Sequence, residues 1–393
     1  MLFQSLDDKK ECVGIYSNGE LSFDKVPSAL QQTWSYSNFL YGMDVEYAQL
    51  YCGGKTLDEV CPSHLLEEWQ RVSNRLKAFI RANHLAKVNL VENCFFDLTP
   101  VRFLKEYCEI KNQICAWIFD NYPRPTNYEH LLKTMEVLSD IKYRKVNFDS
   151  KQLQQYWHED KAKLLYKNFT NKEAYCNYNL FGSKTGRLAL HKGSLPILNM
   201  KKEYRASIKP NNDFFIELDY NAAEARVVLA LLGKVQPNED IHDYNAKNLY
   251  HSTRDEAKKR FFAWLYNPNS EDTVSNGQYD RDLILGNYFI YDSVTNLFKR
   301  NVKCDKYHAL NYLIQSTCAD MVLDRMVAIY KLLEGKKSYV AFTIHDSVII
   351  DFASEDKALI KPIIEEYRNT KLGSFMTTVS AGKDLYNLNK INI

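Results

Sequence analysis

Two short runs of alternating apolar residues flank Asn18-Gly19 in "KECVGIYSNGELSFDK" (10–25). Asn-Gly suits the positive φ of a tight turn, so the pattern predicts a β-hairpin. From 63 to 84 the period becomes helical. Leu65, Leu66, Trp69, Val72, Leu76 and Phe79 share one face, and Ser63 is placed as N-cap. Further helical patterns follow at 99–120 and 128–141, parted by the breaker "YPRPTN". Beyond 166 the texture changes. "FFIELDY" (214–220) reads as a strand, and a helical pattern runs from Ala222 to Leu232 and ends at Gly233. A basic helical stretch covers 252–266, with Ser252 and Thr253 as cap candidates. After the polar loop "NPNSEDTVSNGQYD" a long helical pattern spans 304–333. "YVAFTIHDSVIIDF" (339–352) alternates as a hairpin, and a helix at 354–370 and a short strand close the chain. Dispersed strands gathered into one sheet, with long helices between, predict an α+β plan.

The 393 residues leave room for about two or three domains. A net charge of +2 neither requires nor excludes a nucleic-acid partner, because a basic groove can sit inside a balanced total. Nine cysteines, with no CxxC pair, argue against a disulfide framework or a zinc finger. No signal peptide is legible, and no apolar run approaches the ~18 residues of a membrane span. The expectation is a cytoplasmic protein (in the host cytoplasm if viral) with no membrane partner. The 27 Tyr and 20 Phe are a rich aromatic supply, most of it for the core, with some able to stack on bases.

The chemistry gathers in three stretches. In "ELDYNAAEARVVLALLG" (217–233), Asp219 ends a strand that is apolar on either side of Glu217. It reads either as the N-cap of the next helix or as a carboxylate offered to a metal. In "TIHDSVII", Asp346 lies at a hairpin tip, either as a turn residue bonding its own backbone or as a second such carboxylate. On neighbouring strands the two would converge, and would repel unless a cation lay between them. Two Mg²⁺ ions bridged by two aspartates suit displacement at phosphorus. In "RDEAKKRFFAWLY" (254–266), Arg254, Lys258, Phe262 and Tyr266 stand four apart, in one slowly drifting helical stripe. Two cations followed by two aromatics suit a triphosphate and a base. A solvated amphipathic helix with core aromatics would show the same stripe.

These stretches resemble a known family. "DYNAAEAR" (219–226) resembles motif A of the family A DNA polymerases, D-Y-x-x-x-E-x-R. Residues 254–266 resemble their fingers helix, R-x3-K-x3-F-x3-Y, and "HDS" is similar to their motif C, usually H-D-E. Three more segments fit in the same order. "SKTGRLAL" (183–190) resembles the T-G-R-L segment that contacts primer-template, "NEDIHDYNAKNLY" (238–250) the D-I-H helix, and "NYLIQSTCAD" (311–320) the template-side helix. The fit is closest to phage-type members, without room for a 5′-nuclease domain.

The resemblance implies an α+β right-hand polymerase. An antiparallel palm sheet and helical fingers (about 235–305) would occupy 166–393. A reduced, helical thumb-like region would occupy 96–165, and a small α/β exonuclease-like domain 1–95. The implied activity is template-directed addition of dNTPs to a primer 3′-hydroxyl on primer-template DNA. Asp219 and Asp346 would hold two Mg²⁺ ions (Mn²⁺ can substitute), with the Tyr220 carbonyl as a further ligand. Arg254 and Lys258 would grip the β- and γ-phosphates, with Lys258 as acid for the leaving pyrophosphate. Phe262 would pack on the nucleotide, and Tyr266 would lie by the nascent pair. Glu224 sits where the family's steric gate favours dNTPs, and Phe at 262 implies discrimination against dideoxynucleotides. Arg187, Asn311 and Gln315 would read the minor-groove side, and His345 would hold the primer terminus. The chain departs from the pattern at Ser347, where Glu is usual, at Asn267, where Gly is usual, and at Tyr307, where Arg is frequent. Ser347 implies altered metal sensitivity.

Towards the N-terminus, Asp44 and Glu46 have D-x-E spacing and Asp97 ends "NCFFD". No third exonuclease motif precedes 166, so these read as remnants of a domain without proofreading. A short thumb implies a weak electrostatic hold on duplex product. The enzyme would then be distributive, or would take a processivity factor or act as an oligomer. Two rival readings stay open. Single-subunit RNA polymerases share the palm and H-D-S, although Glu224 argues against them. A catalytically inactive palm could serve as a DNA-binding subunit.

Overall fold

The computed structural model describes residues 1–23 and 25–391. The chain divides into two compact units, Met1–Tyr143 and the remainder from Arg144. The first holds a three-stranded antiparallel sheet of Phe3–Asp8, Glu11–Ser17 and Glu20–Ser22. The expected Asn18-Gly19 turn joins the last two strands, with positive φ at both positions. The strand Phe3–Asp8 has too polar a sequence to have been read in advance. Trp69 and Val72 of the helix Leu66–Leu85 share one core with Phe103, Ile110, Ile114 and Ile118 of the helix Val101–Asn121. The helices at 101–121 and 128–142 lie in this first unit. Ser63 is not a cap: it opens a short 3-10 turn that follows Pro62 and precedes the helix.

The second unit is built on a five-stranded sheet. Its elements begin with Phe214–Tyr220 (β1) and the helices Ala223–Leu231 (α1), Ile241–Asn245 (α2), Arg254–Tyr266 (α3) and Lys306–Leu332 (α4). The strands Tyr339–Ile344 (β2), Ser347–Phe352 (β3), Thr377–Gly382 (β4) and Asn389–Lys390 (β5) follow. The order is β2-β3-β1-β4-β5, and every neighbouring pair is antiparallel. Along β1 the side chains alternate. Ile216, Leu218 and Tyr220 are buried on one face, while Glu217 and Asp219 look out, half-buried, from the other. The closing segment supplies two strands to this sheet where one short strand was expected, and β4 is what makes β1 central. Helix α4 packs against α1, β2 and β3. All nine cysteines are free thiols. Among the described residues no helix is long and apolar enough to cross a membrane.

Candidate active site

Register brings the two aspartates together. Asp219 stands opposite Ser347, the residue after Asp346, in the β1–β3 ladder. Asp219 is not the cap of the next helix: the chain turns first through Ala222, at φ +48, which occupies the N-cap position of α1. The Tyr220 ring stacks on Tyr367 at 4.2 Å on the far side of the sheet, so only the Tyr220 backbone faces the site. The hairpin tip is pinned from three directions. Tyr367 Oη donates to the Asp346 carbonyl at 2.7 Å, Tyr178 Oη donates to the Thr343 carbonyl at 2.7 Å, and Thr343 Oγ1 donates to the Ser347 carbonyl at 3.1 Å. His345, at φ +55, takes the left-handed conformation and is exposed.

Asp219 and Asp346 line one cavity of about 570 Å³. Glu217, Asp219, Tyr220 and Asp346 form an acidic wall; Arg254, Lys258, Phe262 and Tyr266 of α3 face the same space, with Glu224 between. Helix α3 starts where it does because Thr253 and Glu256 make a reciprocal capping box. Its four-residue spacing delivers the expected stripe, and the Phe262 and Tyr266 rings lie nearly parallel, 5.8 Å apart. Glu224 is buried and fully engaged. Arg187 Nη2 donates to Oε1 and Tyr266 Oη donates to Oε2, both at 2.6 Å. Gln315 bonds the same Tyr266 hydroxyl, whereas Asn311 Oδ1 is buried without a partner among the described residues. Arg187, His345 and Asp346 line an adjoining pocket of about 40 Å³.

Burial first, then the charges of Glu217 and Asp346, push the Asp219 carboxyl up to about 7. Asp346 is raised by burial, against the opposing pull of Arg187 and His345. Neither carboxylate has a side-chain hydrogen bond or ion pair among the described residues. Two crowded, unpaired, partly buried oxygen donors suit a divalent cation, which would relieve both the repulsion and the desolvation. Among the described residues no group of three or more His, Cys, Asp or Glu side chains could hold a metal ion. The donor set of Asp219 and Asp346 is of the kind Mg²⁺ takes, since that ion is commonly held by one or two carboxylates plus substrate phosphates.

Sequence reasoning missed several lining residues. Asp240 caps α2, accepts from Asn221 Nδ2 at 2.7 Å, and binds Arg254 through Nε at 3.3 Å and Nη2 at 2.8 Å. The Arg254 guanidinium is thus partly taken, whereas Lys258 has no ion-pair partner among the described residues. His242 is buried and held down to about 4, chiefly by burial, and its Nδ1 has no partner among the described residues. Lys390 reaches the cavity from β5. Asp240 and His242 were legible within the D-I-H segment; Lys390 had no local signal. In the first unit, Glu46 accepts from Tyr51 Oη at 2.8 Å and pairs with Arg124 at 3.6 Å.

No protein-family model matches the sequence, and no curated protein does. Among solved structures, the fold is similar to that of the POL domain of Pol1 from M. smegmatis, whose structure is a complex with DNA primer-template and dNTP. The TM-score is 0.57 at 12% identity, over 73% of this chain and 76% of that one. The likeness to a family A polymerase is one of fold.

Proposed function

We propose that this chain is a template-directed DNA polymerase, a minimal phage-type relative of family A. One observation carries the reading: the acidic wall of Asp219 and Asp346 and the cationic, aromatic stripe of α3 line the same cavity. The first would be part of a palm, the second of helical fingers.

Asp219, Asp346 and the Tyr220 carbonyl would hold two Mg²⁺ ions, which when bound supply charge neutralisation at the phosphates and a more acidic primer 3′-hydroxyl. Lys258, with the donors of Arg254 that Asp240 leaves free, grips the β- and γ-phosphates. Phe262 packs on the nucleotide and Tyr266 by the nascent pair. The primer 3′-oxygen bonds to the α-phosphorus as the bond to the bridging oxygen breaks. The hydroxyl proton passes to water, and Lys258 protonates the departing pyrophosphate. Glu224, fixed by Arg187 and Tyr266, fills the space a 2′-hydroxyl would need. Arg187, Asn311 and Gln315 contact the minor-groove side, and His345 the primer terminus.

Extension of a primed template with dNTPs tests this reading. Asp219→Ala and Asp346→Ala are expected to abolish it; extension that survives either change overturns the assignment. One feature favours a second reading, a single-subunit RNA polymerase-like enzyme: Ser347 after Asp346. Equal use of rNTPs would support that alternative. An inactive palm acting as a DNA-binding subunit predicts no incorporation of either.

We further propose that the first unit contains a degenerate exonuclease-like fold without proofreading, and that the hold on DNA is weak. Such an enzyme would release DNA often unless a processivity factor or a second copy retained it.

A further inference from the structure

One acidic side chain in the cavity has no role in the reading above. Glu217 lies two residues before Asp219, so strand alternation sends both to the same face. It stands in register with Ser380 of β4, and Ser380 with Lys390 of β5; all three line the cavity. Diagonally across is Ser347. Its Oγ lies 2.9 Å from the Ile344 carbonyl and 3.5 Å from Glu217 Oε1. One hydroxyl hydrogen cannot serve both, and the shorter bond takes it. Among the described residues Glu217 has no other hydrogen bond and no ion pair. A partly buried carboxylate, its burial eased by the charges of Arg205 and Lys202, thus faces the cavity without a committed donor, which a ligand can supply. A second observation shows that the cavity is lined for a polar ligand. His242, only 3% exposed, lines the same space, and its Nδ1 has no partner among the described residues.

We propose that Glu217 is a third acidic group for the divalent cations of this site, acting through their bound water beside Asp219. The inference rests on the polymerase reading for the cations themselves. Mg²⁺ keeps several waters, and a carboxylate that accepts hydrogen bonds from them orients and tightens the ion. Ser347 makes the role available: its short side chain leaves the diagonal position open to Glu217. Glu217 is then a positioning residue.

The test is Mn²⁺ titration of the full chain, following the free aquo ion by electron paramagnetic resonance. Glu217→Gln is expected to weaken Mn²⁺ binding about tenfold without lowering the melting temperature. Glu217→Gln combined with Ser347→Glu is expected to recover part of the affinity, because a carboxylate returns across the diagonal. In primer extension the Mg²⁺ needed for half-maximal rate rises, and saturating Mg²⁺ restores most of kcat. Glu217→Ser, matching Ser380 opposite, serves if the Gln variant does not fold. Unchanged Mn²⁺ affinity in the Glu217 variants, with affinity lost in Asp219→Asn and Asp346→Asn, overturns the role of Glu217 alone. Unchanged affinity in the two Asp variants removes the cation site and the polymerase reading with it.

Discussion

Asp219 titrates near neutrality in the folded chain, at about 7, against a usual 3.8. The raised value favours the protonated folded form. Its contribution to stability is full below the unfolded value and is lost as pH rises through the folded one. The cation-free protein is therefore expected to lose on the order of 4 kcal/mol of stability between about pH 4 and pH 7. Asp219→Asn is expected to flatten that loss, and Mg²⁺ to restore wild-type stability above pH 7. Thermal melts in chelator across this range check it; parallel curves for wild type and variant would refute it. Glu224 gives a second prediction. Its two oxygens hold Arg187 and Tyr266, and Glu224→Ala removes both anchors and the bulk. Selectivity for dNTP over rNTP, read as a ratio of kcat/KM values, is expected to fall about tenfold or more. An unchanged ratio would place the sugar selection elsewhere.

At the scale of elements, α3 presents its cations through its first two turns, and Thr253 fixes where those turns begin. Thr253→Ala is expected to cost about 1 kcal/mol in denaturant unfolding. It should also raise KM for dNTP more than it lowers kcat; a fall in kcat alone would count against this role for α3. Much of this site was legible beforehand because its information is local. The alternation in "FFIELDY", the four-residue stripe of 254–266 and the hairpin of 339–352 each lie within one short window. The unread part is non-local. Nothing near Lys390 announces that β5 lies two strands from Asp219. Nothing near Asp240 announces that its carboxylate will hold Arg254. The helices at 101–121 and 128–142 were read as helices, but periodicity shows which face is apolar and not which neighbour covers it. The boundary at 143/144 was invisible for that reason.

For the whole molecule, the first unit's Glu46 is committed to Tyr51 and Arg124. A 3′-mismatched primer held with Mg²⁺ and no dNTP is expected to stay full length on a denaturing gel, and shortening would show proofreading. Single-hit extension by the protein alone is expected to yield short products, and long ones would refute the weak hold on DNA. The strand order also dictates how the molecule must be made. Asp219 pairs with Ser347 on one side and Thr378 on the other, both far downstream. At roughly 5–20 residues per second of synthesis, β1 emerges and then waits on the order of ten seconds for either neighbour. In that interval an apolar strand has two open edges, each able to pair with a strand from another nascent chain. The segment that carries Asp219 is thus also exposed to misassembly at birth.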